Sequence, residues 1–416
     1  MNTPERNALK IAMVVSCSFP ANHGTPGGII KMCNDLRAAG YEPHIVTYNT
    51  REYEAEFPFP IHRIPALWAP KGKLGVGPSL RRIFFDLMLV FKATQTVIQQ
   101  KIDVIDAHNY EGQLAGFLAK LLTGRPLVYH AHNNMIDELP QYESIRPKFL
   151  WTGIAKLLDF FVPRTADHIV AISSTLKNFL VAKGISRDKI TLIPLLVSTD
   201  IFKAPAAEHK SSRALPEGPK IIYTGTLDTF QRLDYLLNAF APLTAHYPDL
   251  WLVIVANQFN EAQVDNVRAM AARLGISKRL HLVLDNTIEE LPFLIGSCDV
   301  AVVPRPECPG FPIKILNYMA AGVGIVCFEG SAHILEDQKT ALLAKDHDVG
   351  DLSRKIEQLL ASPELRARLG DEARRSLFEK QSQVDSLVRV YEQLVCKRKN
   401  RVSCKDSPTP RLNAIQ

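Results

Sequence analysis

The segment from residue 302 to residue 330, VVPRPECPGFPIKILNYMAAGVGIVCFEG, combines residue types that bind anions. Its pattern predicts a strand, a loop and then a helix that begins near Ile313. Backbone amides at a helix start carry partial positive charge, and Lys314 falls on the first turn. Asn317 follows three residues later and therefore lies on the same helix face. We assign four loop residues to the same anion site: Arg305, Gly310, Phe311 and Pro312. Glu307 of the same loop is a candidate catalytic residue, together with His132.

A second candidate is the glycine-containing loop HGTPGG, residues 23–28, which follows the first predicted strand. Gly27 and Gly28 would let backbone N–H groups approach a phosphate or a sugar close to a helix start. The spacing is not GxGxxG, and no acidic residue ends the second strand, which argues against a dinucleotide. A plain tight turn is the remaining interpretation.

Three histidines near strand ends form the third candidate. His108 ends the predicted strand VIDAH, and His130 and His132 alternate along PLVYHAH. Alternate residues share one face of a strand, so the latter two imidazoles point the same way. A metal site needs three converging ligands and partners that orient them. The open interpretations are a metal site, hydrogen-bonded structural histidines and a polar site that faces a ligand.

Motifs of other enzyme classes are absent from the sequence. It contains no GxSxG, P-loop, HExxH or kinase signature, so no ready-made nucleophile is indicated. Seven scattered cysteines without a CxxC pair are typical of reduced thiols in a cytoplasmic protein, and the polar start predicts no signal peptide. Most of the net charge of +6 lies after residue 396, where six basic residues face Asp406 alone. The nearly neutral remainder argues against a nucleic-acid partner.

These candidates belong to a chain of 416 residues, 46% of them hydrophobic, in which short β-branched runs alternate with helical patterns. This alternation predicts an α/β fold with parallel sheets covered on both faces, and the length predicts two domains. Residues 202–219 are rich in proline, alanine and charged residues, a composition that is typical of a linker. We predict a first domain at 1–201, a linker at 202–219, a second domain at 220–375, a helix at 376–395 that returns to the first domain, and a disordered basic tail at 396–416.

The ordered set of motifs along residues 10–395 resembles that of the family 4, or group 1, glycosyltransferases of the GT-B fold. The segments that carry the resemblance are DVIDAHNYEG, PLVYHAH, ADHIVAIS, ITLIPLLVSTDIF, YTGTL and the 302–330 segment. The resemblance implies two Rossmann-like, doubly wound domains that face a cleft. It also implies a nucleotide-sugar donor held mainly by the second domain and an acceptor bound mainly by the first. Retention of anomeric configuration, no cofactor and no required metal are further implications.

Single residues can be carried over by position. The resemblance assigns Gly27 and Gly28 to the donor phosphates and His132 to the donor sugar. It makes Gly225 the start of the phosphate-binding turn in the second domain. Together with the 302–330 segment, these residues form the implied donor site.

The chain also departs from the family pattern. The family has arginine and lysine where this chain has Thr226 and Gln231, and its two glutamates fall on Pro309 and Asn317. Positive charge is nevertheless kept nearby, on Arg232, Arg305 and Lys314. We therefore interpret the chain as an active, divergent subgroup with Thr226 in the donor site.

The sequence thus predicts a glycosyltransferase that moves a sugar from a nucleotide-sugar to a hydroxyl of a glycan or glycolipid. We expect Arg232 and Lys314 to bind the diphosphate and Asn317 the ribose. Glu307 or His132 would contact the sugar. The alternative is a non-catalytic GT-B subunit that binds sugar nucleotides or a protein partner.

Two apolar runs raise the question of a membrane partner. IFFDLMLVF follows Arg81 and Arg82, and FLWTGIAKLLDFF begins at Phe149. One interpretation is ordinary amphipathic core helices. The other is peripheral attachment to an anionic inner leaflet, with a lipid-linked acceptor.

Overall fold

The computed structural model describes residues 8–21, 24–51, 54–65, 79–141, 148–194, 202, 214–256, 259–287, 289–308, 312–379 and 384–405. By its backbone contacts the chain divides into two units. The first contains Met1–Phe19, Met32–Pro194 and Gln383–Gln416, and the second contains Pro20–Lys31 and Leu195–Ser382. The predicted linker at 202–219 falls mostly outside the described ranges.

A parallel sheet forms the centre of the first unit. Its described strands are β1 (Lys10–Val15), β2 (Glu42–Thr47), β3 (Ile61–Arg63), β4 (Val104–His108), β5 (Leu127–Ala131), β6 (His168–Ala171) and β7 (Ile190–Leu192). They pair in parallel in the order β3-β2-β1-β4-β5-β6-β7. Every residue of β4 and β5 is buried, because a parallel sheet is covered on both faces.

Helices cover this sheet. They are α1 (Gly24–Ala38), α2 (Leu80–Gln99), α3 (Asn109–Thr123), α4 (Met135–Glu138), α5 (Lys148–Phe161) and α6 (Ser174–Ala182). One face of α2 packs into the core through Phe85, Leu89 and Val97, together with Ala115 and Ala119 of α3. Small residues on α3 let the two helices approach the sheet closely.

The second unit repeats this architecture. Its described strands are β8 (Lys220–Thr224), β9 (Trp251–Ala256), β10 (Leu280–Leu284), β11 (Val300–Val303), β12 (Gly324–Phe328) and β13 (Leu342–Ala344). They form a parallel sheet in the order β10-β9-β8-β11-β12-β13. Its helices are α7 (Leu233–Phe240), α8 (Leu243–His246), α9 (Glu261–Arg273), α10 (Leu291–Gly296), α11 (Lys314–Ala321), α12 (Val349–Ala361) and α13 (Pro363–Glu379). In both sheets the strand order reverses beside the first strand, as in Rossmann-like folds.

The last helix, α14 (Val384–Lys405), groups with the first unit and buries Leu387, Val390 and Tyr391. The expectation of a disordered tail from residue 396 is wrong for residues 396–405, which are helical. Lysine and arginine are good helix formers, and basic side chains near a helix C-terminus interact favourably with its dipole. Residues 406–416 lie outside the described ranges.

The predicted glycine loop at 23–28 is also corrected. Helix α1 begins at Gly24, so Gly27 and Gly28 lie in its first turns rather than in a loop before it. Pro26 does not prevent this start, because N–H groups of the first helical turn have no intrahelical acceptor. Residues Pro20–Lys31 group with the second unit, although the rest of α1 belongs to the first.

Among the described residues, no helix is both long and apolar enough to cross a membrane. Helices α2 and α5 nevertheless expose large apolar side chains on the face turned away from the core. These are Leu80, Ile83, Phe84, Leu87, Phe91 and Ile98 on α2, and Phe149, Leu150, Leu157, Phe160 and Phe161 on α5. Each run therefore has a packed face and a second, exposed apolar face.

Candidate functional site

Lys314, the first residue of α11, is the centre of a polar cluster in the second unit. Its Nζ donates a hydrogen bond to Oε1 of Gln231 at 2.9 Å and lies 4.0 Å from the centre of the Tyr223 ring. No carboxylate of the described residues lies within ion-pair distance of this amine. Burial lowers the pKa of Lys314 to about 7; Cys308 opposes that shift and Arg305 adds to it. No carboxylate counter-ion is present among the described residues, and a bound anion would favour the charged form of the amine.

Gly225 gives this amine its space. The residue follows β8 with φ at +142°, a conformation that side chains rarely adopt, and its amide donates to the carbonyl of Val255 at 3.0 Å. A Cβ at this position would lie 2.7 Å from Nζ of Lys314 and 3.0 Å from the hydroxyl of Tyr223. Only glycine therefore fits this turn without displacing Lys314.

Thr226 and Gln231 connect the turn to Lys314. The side-chain amide of Gln231 donates to Oγ1 of Thr226 at 3.4 Å, while its oxygen accepts from Lys314. The carbonyl of Thr226 accepts from the Tyr223 hydroxyl at 2.8 Å. Thr226 and Gln231, which replace the arginine and lysine of the family pattern, thus belong to one chain of hydrogen bonds that ends on Lys314.

The loop before α11 contributes Arg305 and Pro312. The guanidinium of Arg305 lies 4.9 Å from the centre of the Phe230 ring, and its charge helps to lower the pKa of Lys314. Pro312 is buried, and its carbonyl accepts from the Ile315 amide at 2.9 Å at the start of α11. The loop therefore places a second cation beside the amine.

Asn317 is part-buried on α11, three residues after Lys314. Its side chain forms no hydrogen bond to another described residue, so its amide oxygen and nitrogen remain for a ligand. Gly310 and Phe311, assigned to the same site from the sequence, lie outside the described residues.

Arg232 and Glu307 have other partners. Arg232 donates through Nε and a terminal nitrogen to both carboxylate oxygens of Asp234, at 2.9 and 2.7 Å, and stacks 3.5 Å from the centre of the Tyr235 ring. The side chain of Glu307 is 83% exposed and lies 3.8 Å from Nε2 of His347. Through these contacts neither residue joins the Lys314 cluster, which leaves Lys314 and Arg305 as its cations among the described residues.

His132 belongs to a separate cluster in the first unit. It follows β5 and is buried together with Asp106, His108 and His130. Its Nε2 lies 3.0 Å from Nδ1 of His108, whose ring stacks on that of His130 with centres 4.7 Å apart. Burial lowers the pKa of His108 and of His132 well below the usual range, and neighbouring imidazoles lower both further. A neutral His132 would contact a sugar by hydrogen bonding rather than as a cation.

The sequence interpretation missed Tyr223 in one cluster and Asp106 in the other. Tyr223 lies two residues before Gly225, and Asp106 lies two residues before His108. Each missed residue could have been found from the two-residue repeat of a strand, because residues two positions apart point to the same face of the sheet. Tyr391, whose hydroxyl donates to Asp106, is 285 residues away in the chain and gave no local signal.

Two family models match the chain. The model described as Glycosyltransferase Family 4 covers residues 28–201, and the model described as Glycosyl transferases group 1 covers residues 206–376. The matched ranges coincide closely with the two parallel-sheet units. They leave out the first strand, the last helix and a few residues between the two matches.

Curated relatives are distant. An MMP alpha-(1->4)-mannosyltransferase of Mycolicibacterium hassiacum is 26% identical over 254 residues, which is 59% of this chain and 59% of that protein. A D-inositol 3-phosphate glycosyltransferase of Corynebacterium aurimucosum is 24% identical over 291 residues, 65% of this chain and 66% of that protein. The chain thus aligns with less than two thirds of the length of either relative.

Solved structures match over nearly the whole chain. Sucrose-phosphate synthase from Thermosynechococcus elongatus has a TM-score of 0.78 at 18% identity, covering 94% of this chain and 100% of its own. Anabaena HepE in complex with UDP and glucose has a TM-score of 0.71 at 16% identity, covering 93% and 99%. At such identities the likeness concerns the fold. Together, the family matches and the shared fold establish that this chain belongs to the group 1, or family 4, glycosyltransferases of the GT-B fold.

Proposed function

We propose that this protein is a retaining glycosyltransferase that moves a sugar from a nucleotide-sugar donor to a hydroxyl of a glycan or glycolipid. The observation that carries the proposal is the amine of Lys314, which is held at a helix start and has no carboxylate partner in the part of the chain that the structure describes. An anion completes such a site, because an uncompensated buried charge is costly. Relatives named as mannosyl- and inositol-phosphate glycosyltransferases, and a structural neighbour crystallised with UDP, support a nucleoside diphosphate as that anion.

The chemical task of the site is to stabilise charge. As the bond between sugar and diphosphate breaks, negative charge grows on the departing phosphate. Lys314, the nearby Arg305 and the amides at the start of α11 would stabilise that charge in the transition state. Asn317, one turn further along, would bind the ribose through its free amide. Gly225 and Thr226 would border the diphosphate from the turn after β8.

Retention follows in this proposal from attack on the face that the diphosphate leaves. The departing phosphate would accept the proton of the acceptor hydroxyl, so that no protein nucleophile is needed. His132 would hold the sugar by a hydrogen bond from its neutral ring. Glu307 remains a second candidate for a sugar contact. Gly27 and Gly28, in the first turns of α1, would present amides to the donor phosphates.

The proposed transfer needs no metal ion at the diphosphate. The described hydrogen-bonding and ring contacts of Lys314 and the Gly225 turn are a carboxamide and two hydroxyl-bearing side chains, none of them a carboxylate. A magnesium ion that binds a diphosphate usually takes one or two carboxylates from the protein. Positive charge from the protein would replace that ion here.

A panel of UDP-, GDP- and ADP-sugars tests the proposal. The purified chain should release the nucleotide from at least one of them, and Lys314→Ala should lower that rate tenfold or more. Lys339→Ala is the matched control, because Lys339 is exposed and paired with Glu336. Thermal stabilisation without nucleotide release would support the non-catalytic alternative. Failure to bind any nucleoside diphosphate would contradict both.

We further propose that the acceptor side of the first unit meets an anionic membrane surface on the cytoplasmic side. The exposed apolar faces of α2 and α5 support this partner, because contiguous apolar surface is unusual on a soluble monomer. Arg81 and Arg82 at the start of α2 and the basic C-terminal segment would add attraction of about 1 kcal/mol per residue.

Co-sedimentation with vesicles tests the membrane partner. The chain should bind vesicles that contain phosphatidylserine at low salt and should bind neutral vesicles more weakly. Replacing Leu87 and Phe91 by serine should reduce binding severalfold, whereas Leu192→Ser, outside α2 and α5, should not. Equal sedimentation with and without vesicles would indicate a soluble acceptor.

A further inference from the structure

Three potential metal ligands meet on one face of the first sheet. Asp106 and His108 alternate along β4, and His130 lies on β5 directly opposite His108 in the strand register. Alternation places the first two side chains on the same face, and parallel register brings the third beside them. All three are fully or almost fully buried.

One atom of each residue has no hydrogen-bond partner. These atoms are Oδ1 of Asp106, Nε2 of His108 and Nε2 of His130. One ligand atom from each of the three residues falls within 4.8 Å of the others, and Oδ1 of Asp106 lies 3.9 Å from Nε2 of His108. Orphaned polar atoms in a protein interior are rare, and three within one buried cluster call for a partner. Structural histidines with satisfied hydrogen bonds, one interpretation from the sequence, do not account for them.

The second polar atom of each residue is held in place. Oδ2 of Asp106 accepts from the Tyr391 hydroxyl and lies 3.4 Å from Nδ1 of His130. Nδ1 of His108 lies 3.0 Å from Nε2 of His132. Metal-binding imidazoles characteristically engage their other nitrogen with a carboxylate or another polar group, which fixes their orientation. Each of the three residues therefore has one polar atom held by a neighbouring residue and one that is unsatisfied.

The charge of the cluster also favours a cation. Within the described part of the chain, the ion-pair partners of the Asp106 carboxylate are the imidazoles of His108 and His130. Cys33 and Tyr391 lie close enough for the carboxylate to raise the pKa of each, after the larger effect of burial, so both stay neutral. A buried carboxylate without lysine or arginine is stabilised by a bound metal ion.

We propose that Asp106, His108 and His130 bind one divalent transition-metal ion, with Zn²⁺ as the best match. Two imidazoles and one carboxylate are a common zinc ligand set, which leaves one position for water. Ligand atoms of a tetrahedral zinc site lie roughly 3.4 Å apart, so the side chains close by about 1 Å on binding. The ion joins β4 to β5 and, through Tyr391, to α14. The inference does not depend on the proposed transfer reaction.

Metal binding has a consequence for His132. A His108 that binds the metal through Nε2 carries its proton on Nδ1 and donates it to Nε2 of His132. The proton of His132 then resides on Nδ1. The metal thereby fixes His132 as a donor at its remaining nitrogen.

Metal analysis of the intact chain tests the site. The protein, refolded with Zn²⁺ and freed of loose metal by gel filtration, should retain about one ion per chain by mass spectrometry. X-ray absorption at the zinc edge should show imidazole and oxygen neighbours and no sulfur. Asp106→Asn and His130→Gln should each lower retained metal at least fivefold. The control is His62→Gln, because His44 and His62 form a similar pair, 3.1 Å apart, that belongs to no three-residue ligand group among the described residues.

Several outcomes overturn the inference. Less than about a tenth of an ion per wild-type chain would mean that water or a shared proton joins the three atoms. Equal retention in wild type and Asp106→Asn, or sulfur neighbours at the zinc edge, would place the metal elsewhere. If the variants do not fold, the absorption spectrum of the wild type decides alone.

Discussion

Among the described residues, each parallel-sheet unit contains a cluster of polar groups near the carboxyl ends of its strands. The cluster is buried in the first unit and part-buried in the second, and the two centre on groups of opposite charge. The first centres on the Asp106 carboxylate and contains imidazoles but no lysine or arginine among its described contacts. The second centres on the Lys314 amine and contains a carboxamide and hydroxyls but, among the described residues, no carboxylate partner for that amine. Two units of one architecture thus hold clusters of opposite charge, one on β4 and β5 and the other between the end of β8 and the start of α11.

The difference between the two clusters shows that units of the same fold can bind ligands of opposite charge. In parallel α/β units the strand ends and the following helix starts converge, whatever the sequence. A buried charge without its counter-charge then selects a ligand of opposite sign, since the desolvation cost is offset only when that ligand binds. Perturbing one cluster should therefore leave the ligand of the other unaffected.

The largest expected effect is that of Lys314→Ala. A hydrogen bond to a charged group contributes about 1.5–3 kcal/mol, so the dissociation constant for the nucleoside diphosphate should rise tenfold or more. Calorimetry measures this change, and metal content should remain that of the wild type. Unchanged affinity would place the diphosphate elsewhere. Loss of metal would show that the two clusters are not independent.

Gly225→Ala should have the second-largest effect on diphosphate binding. The added Cβ would collide with the Lys314 amine, and the positive φ strains any side chain by about 1–3 kcal/mol. We expect severalfold weaker diphosphate binding and a lower midpoint of thermal unfolding. Gly153→Ala is the control, because Gly153 lies on α5 with open space around its Cβ position and should be slightly stabilised. Equal diphosphate affinity and equal thermal midpoints in the two variants would contradict the close contact between Gly225 and Lys314.

Asn317→Leu should have a smaller effect that depends on the ribose. Losing a neutral hydrogen bond costs about 1 kcal/mol, or roughly fivefold in the dissociation constant of the nucleoside diphosphate. Inorganic pyrophosphate, which has no ribose, should bind wild type and variant equally. A parallel loss for both ligands would indicate that Asn317 supports Lys314 instead.

Protonation of Lys314 should accompany binding. Its pKa of about 7 in the free protein means that much of the amine is neutral at pH 8, and a bound diphosphate favours the charged form. Calorimetry in two buffers of different ionisation enthalpy should therefore detect uptake of a fraction of a proton. Lys314→Arg, which stays charged, should bind without uptake. Absence of uptake in the wild type would mean that the amine is already charged.

The lowered pKa of Lys314 also predicts how the free energy of unfolding changes with pH. Between about pH 7 and 10.5 the unfolded chain binds a proton at Lys314 that the folded chain lacks. The contribution of this residue to the free energy of unfolding therefore rises with pH across that range. Lys314→Met should remove this part of the pH dependence.

The smallest effect is expected for Arg232→Ala. The sequence assigned this residue to the diphosphate, but Asp234 accepts from two nitrogens of its guanidinium and Tyr235 stacks on the guanidinium plane. The change should alter diphosphate affinity less than twofold. A tenfold loss would instead support the sequence-based assignment and imply that the pair with Asp234 opens on binding.

Much of the fold could be predicted because its signals are local. Fully buried strands such as WLVIVA at β9 read as uninterrupted apolar runs, and the spacing of Lys314 and Asn317 placed both on one face of α11. The apolar periodicity of residues 234–245 indicates a single helix, but the chain there divides into α7 and α8 around Pro242. Proline cannot donate the amide hydrogen bond that a continuous helix requires.

The composition of each cluster could not be predicted in the same way. Gln231 and Lys314 are 83 residues apart, and Asp106 and Tyr391 are 285 residues apart. In the sequence, Arg232 and Lys314 are both candidate cations for a ligand. In the structure Asp234 pairs with Arg232, whereas no described carboxylate pairs with Lys314. Periodicity encodes which face of its own element a side chain occupies. Which partner meets it there depends on how strands and helices pack, because hydrogen bonds and ion pairs require contact within a few ångströms.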